Sequence, residues 1–247
     1  MTTAEITDVW PNGITLARGA HRSPDDGLCF MEAVAFFRGL PHTDCPPCVS
    51  PVLGAMGRRL NDGLPSDLRQ MLVPLIPLVP GTAGDGHDET RGYMALDWLV
   101  RICLPAYLDH VPNCRENAAE LRALSRIVDS SAAAQARPVT RKAKTATAYA
   151  YAAAYDAAYA AYDAAAAYAA AAAYAAAAYA AAAAYAAYDA AAAYAATAYA
   201  AAAAYAAAAY DAATTDDDSF KRTVNDMRLS AIELYRQMVL TGRSETH

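Results

Sequence analysis

Apolar residues recur at helical spacing through the first half of the chain. Phe30, Ala33, Val34 and Phe37 form one face of a helix, and Ser23, Pro24 and Asp26 predict its start as N-cap, first helical residue and first-turn acid. It runs to Arg38 and stops at Gly39. Ser50 and Pro51 repeat the start signal for a short helix through Leu60, and Gly57, Asn61 and Gly63 soften its end. Ser66 caps a further helix carrying Leu68, Met71, Leu72 and Leu75, which Pro74 and Pro77 must kink or end. After a loop at Gly81 to Gly86, the positions Met94, Leu96, Trp98, Leu99 and Ile102 are apolar nearly all round, as in a central core helix bounded by Pro105 and Pro112. Asn113 with Glu116 opens a fifth helix, with Ala118, Leu121, Leu124 and Val128 as its stripe. Sustained period-two alternation is lacking apart from a weak patch at Trp10 to Leu16, so the fold class is all-α.

Near residue 130 the pattern changes. Residues 1–130 form the helical N-terminal domain, 131–147 a basic linker or helix start, 148–213 a low-complexity segment of alanine and tyrosine, and 214–247 an amphipathic helix and tail. Of the 17 tyrosines, all but Tyr93, Tyr107 and Tyr235 fall within 148–213, which has no Lys, Arg, Gly or Pro. Alanine has the highest helix propensity, so one long helix is expected, roughly 100 Å at 1.5 Å per residue. Tyr168 and Tyr179, Tyr174 and Tyr185, Tyr188 and Tyr199, Tyr194 and Tyr205, and Tyr199 and Tyr210 are each eleven apart, three helical turns. These tyrosines make ridges flanking alanine strips, a surface suited to self-association as a homo-oligomer or to a rigid spacer. Asp156, Asp163, Asp189 and Asp211 each follow a tyrosine and mark the wettest edge. Beyond them, Phe220, Val224, Met227, Ala231, Leu234 and Met238 step by fours and threes, a heptad seam able to dock on the N-terminal domain or on another chain.

The net charge of -6 gives no basic footprint for nucleic acid, since the one basic cluster is Arg137, Arg141, Lys142 and Lys144. Met1 to Leu16 has no signal-peptide core, so a cytoplasmic setting is expected, and aspartates in the alanine run argue against a membrane role. The five cysteines, Cys29, Cys45, Cys48, Cys103 and Cys114, are spaced unlike a secreted disulfide framework.

Three groups of residues suggest chemistry. Cys45 and Cys48 have CxxC spacing, and with His42 and Cys29, or His21 upstream, could supply four zinc ligands, although no second CxxC follows. Asp26 to Ala33 resembles the nucleophile region of ovarian-tumour-type cysteine peptidases, which implies Cys29 as nucleophile with His110 or His87 as base, and Leu28 departs from that pattern. Asp85, His87, Asp88 and Glu89 form a polar loop cluster, expected to be solvated.

Gly19-Ala20-His21, Ser23-Pro24, Asp26-Gly27, Cys29, Met31-Glu32-Ala33-Val34-Ala35, Leu60-Asn61-Asp62 and Met94 to Leu99 together resemble a family of uncharacterised proteins from actinobacteria and their phages, whose members join this module to an Ala-rich tail and a C-terminal helix. That resemblance implies no activity. The eleven-residue tyrosine register instead leads to the expectation of a non-enzymatic structural or interaction protein. The alternatives are a surface binder similar to the alanine-rich antifreeze proteins of fish, whose regular Thr is matched in the repeat region by Thr197 alone, and a cysteine hydrolase centred on Cys29.

Overall fold

A computed structural model of the chain describes residues 13–111, 114–150 and 218–243, with 147–150 as backbone only. The described residues are helical: α1 Phe30–Phe37, α2 Pro51–Gly63, α3 Ser66–Gln70, α4 Asp88–Trp98, α5 Leu104–Leu108, α6 Arg115–Arg122, α7 Ser130–Ala150 and α8 Asp218–Leu240. Extended pairing among them is limited to an isolated bridge between Leu16 and Leu28. The all-α class thus stands, and the Ala/Tyr repeat with its tyrosines at 168, 174, 179, 185, 188, 194, 199, 205 and 210 lies outside the described residues.

Two compact units are present. The first comprises Met1–Arg91 with Arg228–His247, and the second Gly92–Met227.

In the first unit, capping decides where α1 begins, and the start lies later than Ser23 and Pro24 suggest. Those residues open only a 3-10 turn, Pro24–Asp26, and the Ser23 hydroxyl turns to Asp26 Oδ2 at 3.0 Å instead of to a backbone N–H. Gly27 at φ 127 then breaks the helical path, a conformation that a side chain would strain. Leu28 runs extended, its carbonyl accepting from the Ala17 N–H at 2.9 Å, and Cys29 becomes the N-cap. For α2 the Ser-Pro signal is realised: Ser50 Oγ accepts from the Leu53 N–H and Pro51 is the first helical residue. Ser66, by contrast, is itself helical, with Pro65 in the cap position, so α3 has no side-chain cap. Pro74 and Pro77 then hold residues Val73–Leu78 in a 3-10 helix that packs, with α2, against α1.

The C-terminal half of α8 completes this unit. Tyr235 is fully buried, edge-on to Phe30 with ring centroids 5.4 Å apart, and donates to the Leu53 carbonyl at 3.2 Å. A Cβ added at Gly57 would lie 2.8 Å from Met31 Cε and 3.0 Å from Tyr235 Oη, so glycine there permits the close approach. Arg91 is also fully buried. Its guanidinium donates to the Met238 carbonyl at 2.9 Å and to both carboxylate oxygens of Asp85, at 2.8 and 2.5 Å.

In the second unit, the helix expected across Met94 to Ile102 changes register. A π-helical turn, Leu99–Cys103, follows α4, and the Leu104 N–H reaches back to the Leu99 carbonyl. The change falls directly before Pro105, which lacks the N–H needed to continue an α ladder. Ile102 is turned outward at 44% exposure, so this stretch is not apolar-buried all round. Ala118 and Leu121 of α6 do face the core, with Leu124 against it, but the helix ends at Arg122 and leaves Val128 58% exposed. Ile127 is buried in its place, and its N–H donates to Asp97 Oδ1 at 2.7 Å. Residues 131–147 belong to α7, whose start is capped by Asp129 accepting from the Ala132 N–H at 2.8 Å. Ala133, Ala136 and Ala143 pack inward while Arg137, Arg141 and Lys142 are exposed. The first half of α8 contributes Phe220, Val224 and Met227, which pack with Cys103, Tyr107, Trp98 and Leu99. The seam read from sequence therefore faces inward, with Phe220, Ala231, Leu234 and Met238 buried and Val224 and Met227 partly buried.

Candidate functional site

The first unit gathers the polar residues of the motif around one buried carboxylate. Glu32 sits at the third position of α1, where its carboxylate can reach back to the cap, and is 1% exposed. Oε1 accepts from the His21 backbone N–H at 2.7 Å, and Oε2 accepts from His21 Nδ1 at 2.8 Å and from the Cys29 N–H at 2.7 Å. His42 Nε2 lies 3.5 Å from Oε1 and donates to the His21 carbonyl at 2.8 Å. Burial alone would raise the Glu32 carboxyl, but hydrogen bonds from the Cys29 and His21 N–H groups and the His21 ring outweigh it and hold the group below the ordinary range. The anion is therefore the built-in state.

Cys29 answers Glu32 in a reciprocal capping box, its sulfur accepting from the Glu32 N–H at 3.4 Å. It is 3% exposed. Burial pushes its thiol up to about 12, and the adjacent Glu32 charge acts in the same direction. The lowered thiol pKa that the peptidase resemblance requires is thus reversed, because burial, with the Glu32 charge added, outweighs the Glu32 and Met31 N–H groups of the helix N-terminus that would favour a thiolate. His110, the other residue of that assignment, belongs to the second unit, where Nε2 is 2.9 Å from Thr223 Oγ1 and the ring stands edge-on to Phe220. His87 packs against Gly242, whose φ of 78 suits glycine.

Asn61 fixes the strap that leads into this cluster. Fully buried on α2, it accepts from the Phe30 N–H at 3.0 Å and donates to the Ala17 carbonyl at 2.9 Å. Its own carbonyl accepts from Arg69 Nε at 2.6 Å. Asp62 accepts from the Gly19 N–H at 2.8 Å, and Gln70 brackets Leu16, accepting from its N–H at 2.8 Å and donating to its carbonyl at 3.0 Å. Gly27 lets His21 lie flat on the chain, since a Cβ there would stand 3.0 Å from His21 Cδ2.

The four zinc candidates do not converge. Cys29 sulfur faces the Glu32 N–H and His42 Nε2 faces Glu32 and the His21 carbonyl, while Cys45 is exposed and Cys48 half-buried. Among the described residues, no group of three or more His, Cys, Asp or Glu side chains is arranged to hold a metal ion. Nor is the Asp85–Glu89 cluster simply solvated: Asp85 is bound by Arg91, which holds it below the ordinary carboxylate range, and Asp88 accepts from Ser50 Oγ. Among the described residues no helix is long and apolar enough to cross a membrane.

Sequence reasoning missed Glu32, Asn61 and Arg91. The Cys29-x-x-Glu32 spacing held a capping signal, and Ser at that cap would have made it visible. No family model matches the chain, and neither a curated protein nor a solved structure matches it.

Proposed function

We propose that this is a non-enzymatic interaction protein whose Ala/Tyr segment, 148–213, mediates self-association. The observation carrying the non-enzymatic part is the saturation of the motif: Glu32 is consumed by hydrogen-bond donors and Cys29 by its capping role, so these groups hold the first unit together instead of facing a substrate. The second unit favours self-association over a spacer. Before the segment, α7 packs through Ala133, Ala136 and Ala143, and after it Phe220 packs on Cys103 and Tyr107 of the same unit. A segment whose two flanks are anchored in one unit does not set a distance between separate modules. It presents alanine strips and tyrosine ridges to another copy.

Light scattering of the full-length protein across a concentration series tests the reading. A mass that rises to a defined oligomer, and falls back when Tyr174, Tyr185, Tyr194 and Tyr205 are replaced by Ser, is expected. A monomer at every concentration overturns it.

A further inference from the structure

Of the five cysteines, Cys29, Cys103 and Cys114 are buried, whereas Cys45 is exposed and Cys48 half-buried. The latter two flank Pro46 and Pro47 in the first unit, Cys48 inside the turn Pro46–Val49 and Cys45 directly before it, and this segment is fixed from several sides. The Pro46 carbonyl accepts from the Val49 N–H at 3.1 Å, and the Cys48 carbonyl accepts from Gly81 and Ala83 N–H groups at 2.9 and 3.3 Å. Thr43 Oγ1 accepts from the Cys45 N–H at 3.1 Å, and Arg58 Nη1 donates to the Asp44 carbonyl at 2.9 Å. Two prolines lock φ between the thiols, so little backbone entropy remains to be lost on closing a bond across the turn. Neither thiol caps a helix as Cys29 does, and the Cys45 thiol lies beside Asp44 and Arg58.

We propose that Cys45 and Cys48 form a dithiol redox site, closed to an intramolecular disulfide by a low-molecular-weight thiol disulfide such as oxidised glutathione. Cys45, the exposed member, attacks first: its thiolate forms a bond to one sulfur of the reagent, the reagent's S–S bond breaks, and one thiolate leaves and takes up a proton. Cys48 then loses its proton to solvent, attacks the Cys45 sulfur of the mixed disulfide and displaces the second reagent thiolate. Two protein thiols are oxidised, and one reagent disulfide is reduced to two thiols. Burial raises the Cys45 thiol above its ordinary value while the nearby Arg58 charge opposes the rise, so the first step quickens as the solution is made more alkaline.

The test uses the reduced full-length protein, exposed to oxidised glutathione, quenched in acid, alkylated and mapped by peptide mass, with circular dichroism confirming that each variant is folded. In the unaltered protein the peptide 39–58 is expected to lose two hydrogens and carry no adduct. Cys48→Ser is expected to lose the disulfide entirely and retain a glutathionyl group on Cys45. A stable adduct on Cys45 of the unaltered protein would overturn the proposal, as would oxidation of Cys29, Cys103 or Cys114 at the same rate as the pair.

Discussion

Glu32→Gln tests whether the motif is a structural lock. The substitution keeps the shape of the side chain and converts one acceptor oxygen into a donor. If the new amide nitrogen takes the Oε2 position it confronts the Cys29 N–H and forces His21 into the tautomer whose Nδ1 accepts; if it takes Oε1 it confronts only the His21 backbone N–H. The second arrangement is cheaper, and it still leaves one buried donor unsatisfied, costing about 1–3 kcal/mol. The two surviving hydrogen bonds lose their charge assistance as well. A total of about 2–4 kcal/mol follows, a large part of the roughly 5–15 kcal/mol that ordinarily stabilises a domain. With a urea slope of about 2 kcal/mol per molar, the middle of the usual range, the midpoint followed by near-ultraviolet circular dichroism should fall by about 1–2 M at pH 7. Because the folded-state pKa of Glu32 lies below the unfolded one, its contribution is complete above about pH 4.3 and disappears as pH falls through the folded value. The gap between the two proteins should therefore narrow in acid. A midpoint shift too small to measure, or a gap that stays constant from pH 7 into strong acid, would refute the lock.

Two further substitutions address the attachment of the last helix. Gly57→Ala places a methyl against Met31 and Tyr235 and should cost about 1–3 kcal/mol through overpacking, read as a lowered thermal midpoint. Arg91→Met leaves Asp85 without its cationic partner and the Met238 carbonyl with the Thr241 N–H alone. A loss of about 1–3 kcal/mol is expected, since Asp85 is partly exposed and keeps the His87 N–H, with limited proteolysis cutting within 228–243 sooner than in the unaltered protein; unchanged cleavage would show that Arg91 does not hold this segment.

The elements that could be read from sequence are those whose signals are local. Ser50-Pro51 marks the start of α2 because hydroxyl cap and proline act within one turn, and the seam from Phe220 to Met238 is legible because helical periodicity survives whichever core receives each residue. The start of α1 was obscured by two competing caps, of which the conventional Ser23 gave way to Cys29 once Gly27 broke the path. The π turn before Pro105 depends on how a missing N–H is accommodated, which periodicity does not report. The role of Arg91 was invisible for a different reason: one of its acceptors, the Met238 carbonyl, is 147 residues away. Within the candidate site, the residue types were recognised while their tasks were not. Cys29, His21 and His42 drew attention as reactive groups, yet they share Glu32, whose role depends on being buried beside all three.

The first unit is assembled from the beginning and the end of the chain, and this orders events during synthesis. Tyr235 meets Leu53 across 182 residues of sequence. At about 5–20 residues per second, that separation takes a ribosome roughly 10–40 seconds to make. Throughout that interval Phe30 and the surface around Gly57 lack their partner, and the unit cannot close. A chain released inside the alanine run would never supply it. Completion of the first unit therefore waits on translation through the whole repeat in frame, because Tyr235 and the Met238 carbonyl, which Leu53 and Arg91 bind, are made only after it.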